Sequence, residues 1–297
     1  MDITNSILSY RRSLKRRNYS GHTVSHYIND LKQFLLWADV PIEQVTARKV
    51  AAYIDFLLDR RRKPKTINGH LNAVRKFYNY LRYEGYVRIE NPVKRGFCLR
   101  LPKPLPKHLK DEEVDHFLQT IRNPRDRAIF SLMLRSGLRV AEVANLTLPA
   151  IDFRRACILV QGGKGNKDRV TYMSQDALKA LVEYLKRRPA TRKKHVFLVE
   201  KGPCKGQPLS VRGIQKRMEY YARRAGLRVS CHHLRHTMAT QMLNAGADLA
   251  TIQDLLGHSS ITTTQRYARV SNQKVRRDYH KAMEKVVERT SGGLSSS

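Results

Sequence analysis

The chain has 297 residues, enough for two domains that each bury a core of their own. Its 57 Lys and Arg against 25 Asp and Glu leave a formal charge of +32, a self-repulsion that points to a polyanionic partner. The four cysteines (Cys98, Cys157, Cys204, Cys231) are scattered, which excludes a disulfide frame or zinc site, and no apolar run approaches the ~20 residues that span a bilayer.

The first residues, M-D-I-T-N-S, lack the charged start and apolar stretch of a signal peptide, so a cytoplasmic protein with no membrane contact is expected. The basic surplus is spread along the chain. Residues 1–106 hold 21 Lys/Arg and 8 Asp/Glu, a surplus of 13; the remainder holds 36 and 17, a surplus of 19. Two basic lobes that clamp a nucleic acid are the natural reading.

Residues 1–100 read as an all-helical domain. Ile7, Leu8 and Leu14 mark a first short helix; Tyr27, Ile28, Leu31, Phe34 and Leu35 recur at helical spacing in a second, after Ser20 as its cap. A third runs near Thr46–Asp59 with Val50, Tyr53, Ile54 and Leu57 on one face. A fourth starts at Pro64 or Thr66, carries Ile67, Leu71, Val74, Phe77, Tyr78 and Leu81, and is stopped by Gly85 and Asn91-Pro92. The run R-R-R-K at 60–63 falls between the last two helices, where backbone phosphates are easily met.

Residues 101–108 form a proline-rich linker, extended and stiff, and set the domain boundary. The second domain, 109–290, opens with a helix at Asp111-Glu112-Glu113 and a longer one over about Arg125–Ser136. Gly137 interrupts before a helix beginning near Arg139–Val140. Two β runs, 157–161 and 169–173, flank the turn-rich G-G-K-G-N-K, and H-V-F-L-V at 195–199 is expected as a third strand. Helices resume to the end, apart from a polar tail at 291–297 expected to be disordered. The fold class is thus mainly α with a small antiparallel sheet, and no internal repeat is evident.

Six residues of the second domain suit one phosphate: Arg139, Lys164, His232, Arg235, His258 and Tyr267. Breaking a phosphodiester needs a nucleophile, neutralisation of the non-bridging oxygens and a proton for the leaving oxygen. Arginine's planar fork suits the second task. His232 and Arg235 stand one helical turn apart on one face. Tyrosine, with a pKa near ~10, needs a base or a strong positive field to attack. Lys164 at a hairpin tip is placed to donate a proton, with Lys167 as its rival. His232, His233 and His236 suggest a metal only weakly, because no carboxylate or cysteine except Cys231 sits at ligand spacing.

The order of the motifs R-S-G-L-R-V-A-E-V, G-G-K-G-N-K-D-R, H-H-L-R-H-T-M-A-T and L-L-G-H-S-S-I-T-T-T-Q-R-Y resembles the tyrosine recombinase (phage integrase) family over about residues 110–285. The helical first domain is similar to that family's core-type DNA-binding domain. The resemblance implies that Tyr267 attacks the scissile phosphate, forming a 3′-phosphotyrosyl bond and freeing a 5′-hydroxyl. Arg139 and Arg235 then hold the non-bridging oxygens, Lys164 protonates the departing 5′ oxygen, His232 assists the tyrosine proton, and His258 hydrogen-bonds the phosphate. No cofactor or metal is needed, since the phosphotyrosine stores the bond's energy.

Glu142 also matches the family and is expected to orient the site. One departure is visible: Cys231 stands where the family often has proline, so a looser first turn is expected there. Past Tyr267, Val275, Tyr279, Met283 and Val286 form one stripe of an expected terminal helix, which could pack on its own domain; the resemblance implies instead that it docks on a neighbouring subunit of a homo-tetramer on double-stranded DNA. Tyr279 is a decoy nucleophile. The implied activity is site-specific DNA recombination through a four-way junction, for integration, excision or resolution of a mobile element or replicon. The alternatives are type IB topoisomerase-like strand cleavage and a catalytically silent DNA-binding regulator. With the first domain starting near residue 1, no extra arm-binding domain is expected, which favours short core sites.

Overall fold

The computed structural model describes residues 3–85, 90–102, 107–161 and 168–257. By contact density the chain separates into two compact units, Met1–Lys103 and Pro104–Ser297.

The first unit holds four helices: α1 (Ile3–Arg16), α2 (Gly21–Ala38), α3 (Ala47–Asp59) and α4 (Pro64–Tyr83). Their starts are chemically marked. Ser20 Oγ accepts from the Thr23 amide (3.2 Å), Thr46 Oγ1 from the Lys49 amide (3.2 Å), and Pro64 occupies a first-turn position where its missing N–H costs nothing. Ile7, Tyr10 and Leu14 of α1, Ile28, Leu31 and Leu35 of α2, Val50, Tyr53 and Leu57 of α3, and Leu71, Val74 and Leu81 of α4 bury one shared core. Each such aliphatic or aromatic side chain contributes roughly 1.5–3 kcal/mol. Arg60, Arg61, Arg62 and Lys63 lie exposed between α3 and α4, as their position between helices predicts.

In the second unit, α5 (Asp111–Gln119) is fastened at its start by Glu113, whose Oε2 accepts from the Lys110 amide at 2.8 Å. α6 (Pro124–Arg135) is central: Ala128, Ile129, Phe130, Leu132, Met133 and Leu134 are all buried, so it has no solvent face to show an amphipathic stripe. Fully buried Asp126 is neutralised from two sides. Its Oδ1 accepts from Arg125 Nη2 (2.8 Å), and its Oδ2 from Arg217 Nε (2.6 Å) and the Tyr221 hydroxyl (3.1 Å), which ties α6 to α9 (Val211–Arg224). The remaining helices are α7 (Val140–Ala144), α8 (Gln175–Leu185), α10 (Cys231–Asn244) and α11 (Leu249–Leu256).

The sheet is antiparallel, in the order β1 (Ile151–Asp152), β2 (Cys157–Val160), β3 (Arg169–Tyr172). Ile158, Val160 and Thr171 face inward, and the Thr171 hydroxyl donates to the Ser136 carbonyl at 2.8 Å, holding β3 against the end of α6. The expected third strand at 195–199 is not a strand of this sheet. Val196, Phe197 and Leu198 are all buried in succession, and among the described residues their segment pairs only locally, through the isolated bridges Thr147↔His195 and Leu198↔Pro208 and short backbone bonds such as Val196 N to Leu146 O (2.8 Å) and Leu209 N to Phe197 O (2.9 Å). Side chains occupy backbone groups that a ladder would use: the Tyr184 hydroxyl donates to Val196 O (3.2 Å) and accepts from the Leu198 amide (3.1 Å), and Arg188 Nη2 donates to His195 O (2.7 Å). An apolar run buried on both sides looks the same in sequence whether or not it pairs. Among the described residues, no helix is long and apolar enough to cross a membrane.

Candidate active site

Of the six residues proposed around a phosphate, three are described: Arg139, His232 and Arg235. All three line one cleft of about 550 Å³, together with Arg212, Gln215 and Glu219 of α9. Lys164, its rival Lys167, His258, Tyr267, the stripe Val275–Val286 with Tyr279, and the tail at 291–297 lie outside the described residues.

Arg139 reaches the cleft because α6 stops abruptly. Gly137 adopts φ +65°, a left-handed conformation in which a Cβ would also stand 2.8 Å from Leu256 Cδ2, so the chain turns closely over α11. Arg139 then caps the short α7, where Glu142 Oε2 accepts from the Arg139 amide and Oε1 from Arg139 Nη1, both at 2.7 Å. Arg235 comes from α10 and is 2% exposed; its Nη1 donates to Gly137 O and its Nη2 to Leu256 O. Arg139 Nη2 turns to the same place, at 3.4 Å from Leu256 O and 3.3 Å from Gly257 O. Two guanidiniums carried by different helices therefore meet at one carbonyl. The C-terminal carbonyls of α11 are the partially negative end of a helix, which suits cations.

His232 lies one turn before Arg235 on α10, and its ring packs edge-on against His236 with centroids 4.9 Å apart. At the start of α10 the residue replacing proline does not leave a loose end. The Ser230 amide donates to His233 Nδ1 at 3.1 Å, so the histidine closes the first turn. Burial pushes the Cys231 thiol up to about 11, so it is neither a nucleophile nor a ready metal ligand near neutral pH. Among the described residues no group of three His, Cys, Asp or Glu is placed to hold a metal ion.

One functional residue escapes a reading of the sequence. Arg169, the first residue of β3, forms a two-pronged ion pair with Glu142, Nη1 to Oε1 and Nη2 to Oε2, each at 2.8 Å. Its Nε also donates to Leu255 O at 2.9 Å. The only sequence signal is its place at the end of the motif G-G-K-G-N-K-D-R, which says nothing about a partner 27 residues earlier. Glu142 is thus shared by two arginines.

Burial acts to raise the Glu142 pKa, but the hydrogen bonds from Arg169 and from the Arg139 amide and side chain outweigh it and hold the carboxyl down at about 2. Its folded value lies below its ordinary one, so its stabilisation is complete above about pH 4.5 and is lost as the pH falls through 2. The size is about 3 kcal/mol at neutral pH. Melting temperatures of the full chain should therefore fall more steeply from pH 4.5 downward than those of Glu142→Gln. Parallel curves would contradict the clamp.

The phage integrase family matches residues 107–274, and the phage integrase N-terminal SAM-like domain matches residues 7–85. The chain is 35% identical over 265 residues to a tyrosine recombinase XerC of Thermodesulfovibrio yellowstonii, covering 84% of this chain and 86% of the relative. It is 33% identical over 298 residues to a tyrosine recombinase XerA of Pyrococcus horikoshii, covering 98% and 96%. Among solved structures, the Tn1549 transposon integrase in complex with transposon right end DNA has a similar fold, with a TM-score of 0.75 at 17% identity over 94% of this chain and 99% of that one.

Proposed function

Since the chain belongs to the phage integrase family of tyrosine recombinases, we propose that it cleaves and rejoins duplex DNA at specific sites through a 3′-phosphotyrosyl bond at Tyr267. The observation that carries this reading is the meeting of Arg139 and Arg235 at the Leu256 carbonyl, in a cleft that His232 also lines. Two forked cations held at one point can neutralise both non-bridging oxygens of a phosphate.

In the cleavage step, Tyr267 Oη forms a bond to phosphorus as the bond to the 5′ oxygen breaks. His232 assists removal of the phenolic proton, and Lys164 supplies the proton that the 5′ oxygen takes up. His258 hydrogen-bonds the phosphate. The bond energy is conserved in the ester, so rejoining is the same step reversed with a different 5′-hydroxyl. Four copies working in pairs through a four-way junction, coupled by exchange of the segment after Tyr267, would turn two such cuts into recombination. The surplus of basic residues in each unit supplies the sequence-independent share of DNA affinity.

The test begins by sequencing DNA trapped on the protein and placing two copies of that site in one supercoiled plasmid. Deletion or inversion between the sites is expected. Relaxation by a monomer without exchange would favour a type IB topoisomerase-like activity, and binding without any adduct a silent regulator.

A further inference from the structure

We propose that Arg169 is a positioning residue for the phosphate-binding arginine: it acts on the scissile phosphate through Glu142 and Arg139, without touching DNA itself. The inference rests on the recombinase reading above. Arg169, with a side chain 8% exposed, does not line the cleft that Arg139, His232 and Arg235 share. All its described bonds are to protein. Both terminal nitrogens hold Glu142, and Nε holds the Leu255 carbonyl.

Glu142 in turn holds the Arg139 side chain and amide. A carboxylate bonded to Arg139 alone would be free to rotate with it; fixed on both oxygens by a second, buried fork, it becomes a rigid stop. The arrangement is tight at the other end too. A Cβ on Gly257, whose φ is +58°, would lie 2.9 Å from Arg169 Cδ, so the end of α11 is packed directly on this side chain. One guanidinium therefore joins three segments: α7 with Arg139, the end of α11 whose carbonyls receive Arg139 and Arg235, and β3, which follows the segment 162–167 carrying Lys164. Lysine cannot replace it, because an ammonium is a point charge and cannot grip both carboxylate oxygens and a carbonyl in one plane.

The test uses full-length Arg169→Lys on a nicked suicide substrate, with either a phosphodiester or an uncharged methylphosphonate at the scissile position. On the phosphodiester, covalent cleavage should slow by about 10²-fold at unchanged DNA affinity, the loss that a misplacement of about 1 Å brings. On the methylphosphonate there is less charge for Arg139 to neutralise, so the difference from the unsubstituted protein should largely close. Equal losses on both substrates, or none on either, would overturn the proposal. Glu142→Gln provides a second measurement: its effect and that of Arg169→Lys on melting temperature should be strongly non-additive, and additivity would also overturn it. An unsubstituted protein that forms no adduct would refute the recombinase reading, and the melting data would still decide the clamp.

Discussion

Tyr267→Phe should lose all covalent protein–DNA adduct on a nicked substrate while binding the same DNA with unchanged affinity. Phenylalanine keeps the aromatic ring and removes only the oxygen that would bond to phosphorus. Where other enzymes lose the residue that makes their covalent intermediate, the loss is on the order of 10⁶ in turnover. A phenol with a pKa near ~10 is barely ionised at neutral pH, so the site must supply the field that makes it reactive. Around Glu142 and the Leu256 carbonyl, the described residues gather three guanidiniums (Arg139, Arg169, Arg235) against the Glu142 carboxylate, a field of the required sign. Denaturing gels of protein with end-labelled DNA give the readout. Adduct that persists in Tyr267→Phe and disappears in Tyr279→Phe would reassign the nucleophile.

Arg235→Ala should damage both stability and chemistry, which sets it apart from the other site variants. The side chain is almost fully buried and donates to the carbonyls of Gly137 and Leu256. Removing it leaves two buried acceptors without that donor, and each such loss costs about 1–3 kcal/mol. On the proposed function it also takes away a donor to the phosphate, worth about 10²–10³ in rate. Arg139→Ala should cost a comparable factor in cleavage but less stability, because its carbonyl contacts are long (3.3 and 3.4 Å), its side chain is partly exposed, and Glu142, its 2.7 Å partner, keeps both bonds from Arg169. Thermal melts and single-turnover cleavage of both variants separate the two effects. Arg235→Ala melting like the natural protein would show that the carbonyl bonds are dispensable.

Local chemistry makes much of the fold readable from the chain alone. The helices of the first unit follow from apolar residues three and four apart and from Ser20, Thr46 and Pro64 at their starts, which act within one turn of chain. The two strands 157–160 and 169–172 are equally legible, as short β-prone runs flanking the turn-rich G-G-K-G-N-K. Sequence misleads where residues distant along the chain are neighbours in space. The segment 195–199 has a strand's composition, yet Tyr184 and Arg188 occupy its backbone groups. Lack of proline implies a loose first turn in α10, and His233 closes it.

The site divides along the same line. Sequence by itself determined which groups are available and in what order: two arginines, three basic or imidazole helpers and a tyrosine, in a chain too basic to ignore a polyanion. Side-chain chemistry and local spacing are properties of the chain alone, so they hold whatever the fold. Only the tertiary structure decided that Arg139 and Arg235 meet at the end of α11, and that Arg169 and Glu142 hold one of them there. Apart from the Glu142–Arg139 pair, those contacts join residues 21 to 118 positions apart, and left-handed Gly137 and Gly257 leave room for them, since a Cβ at either would stand under 3.0 Å from Leu256 or Arg169.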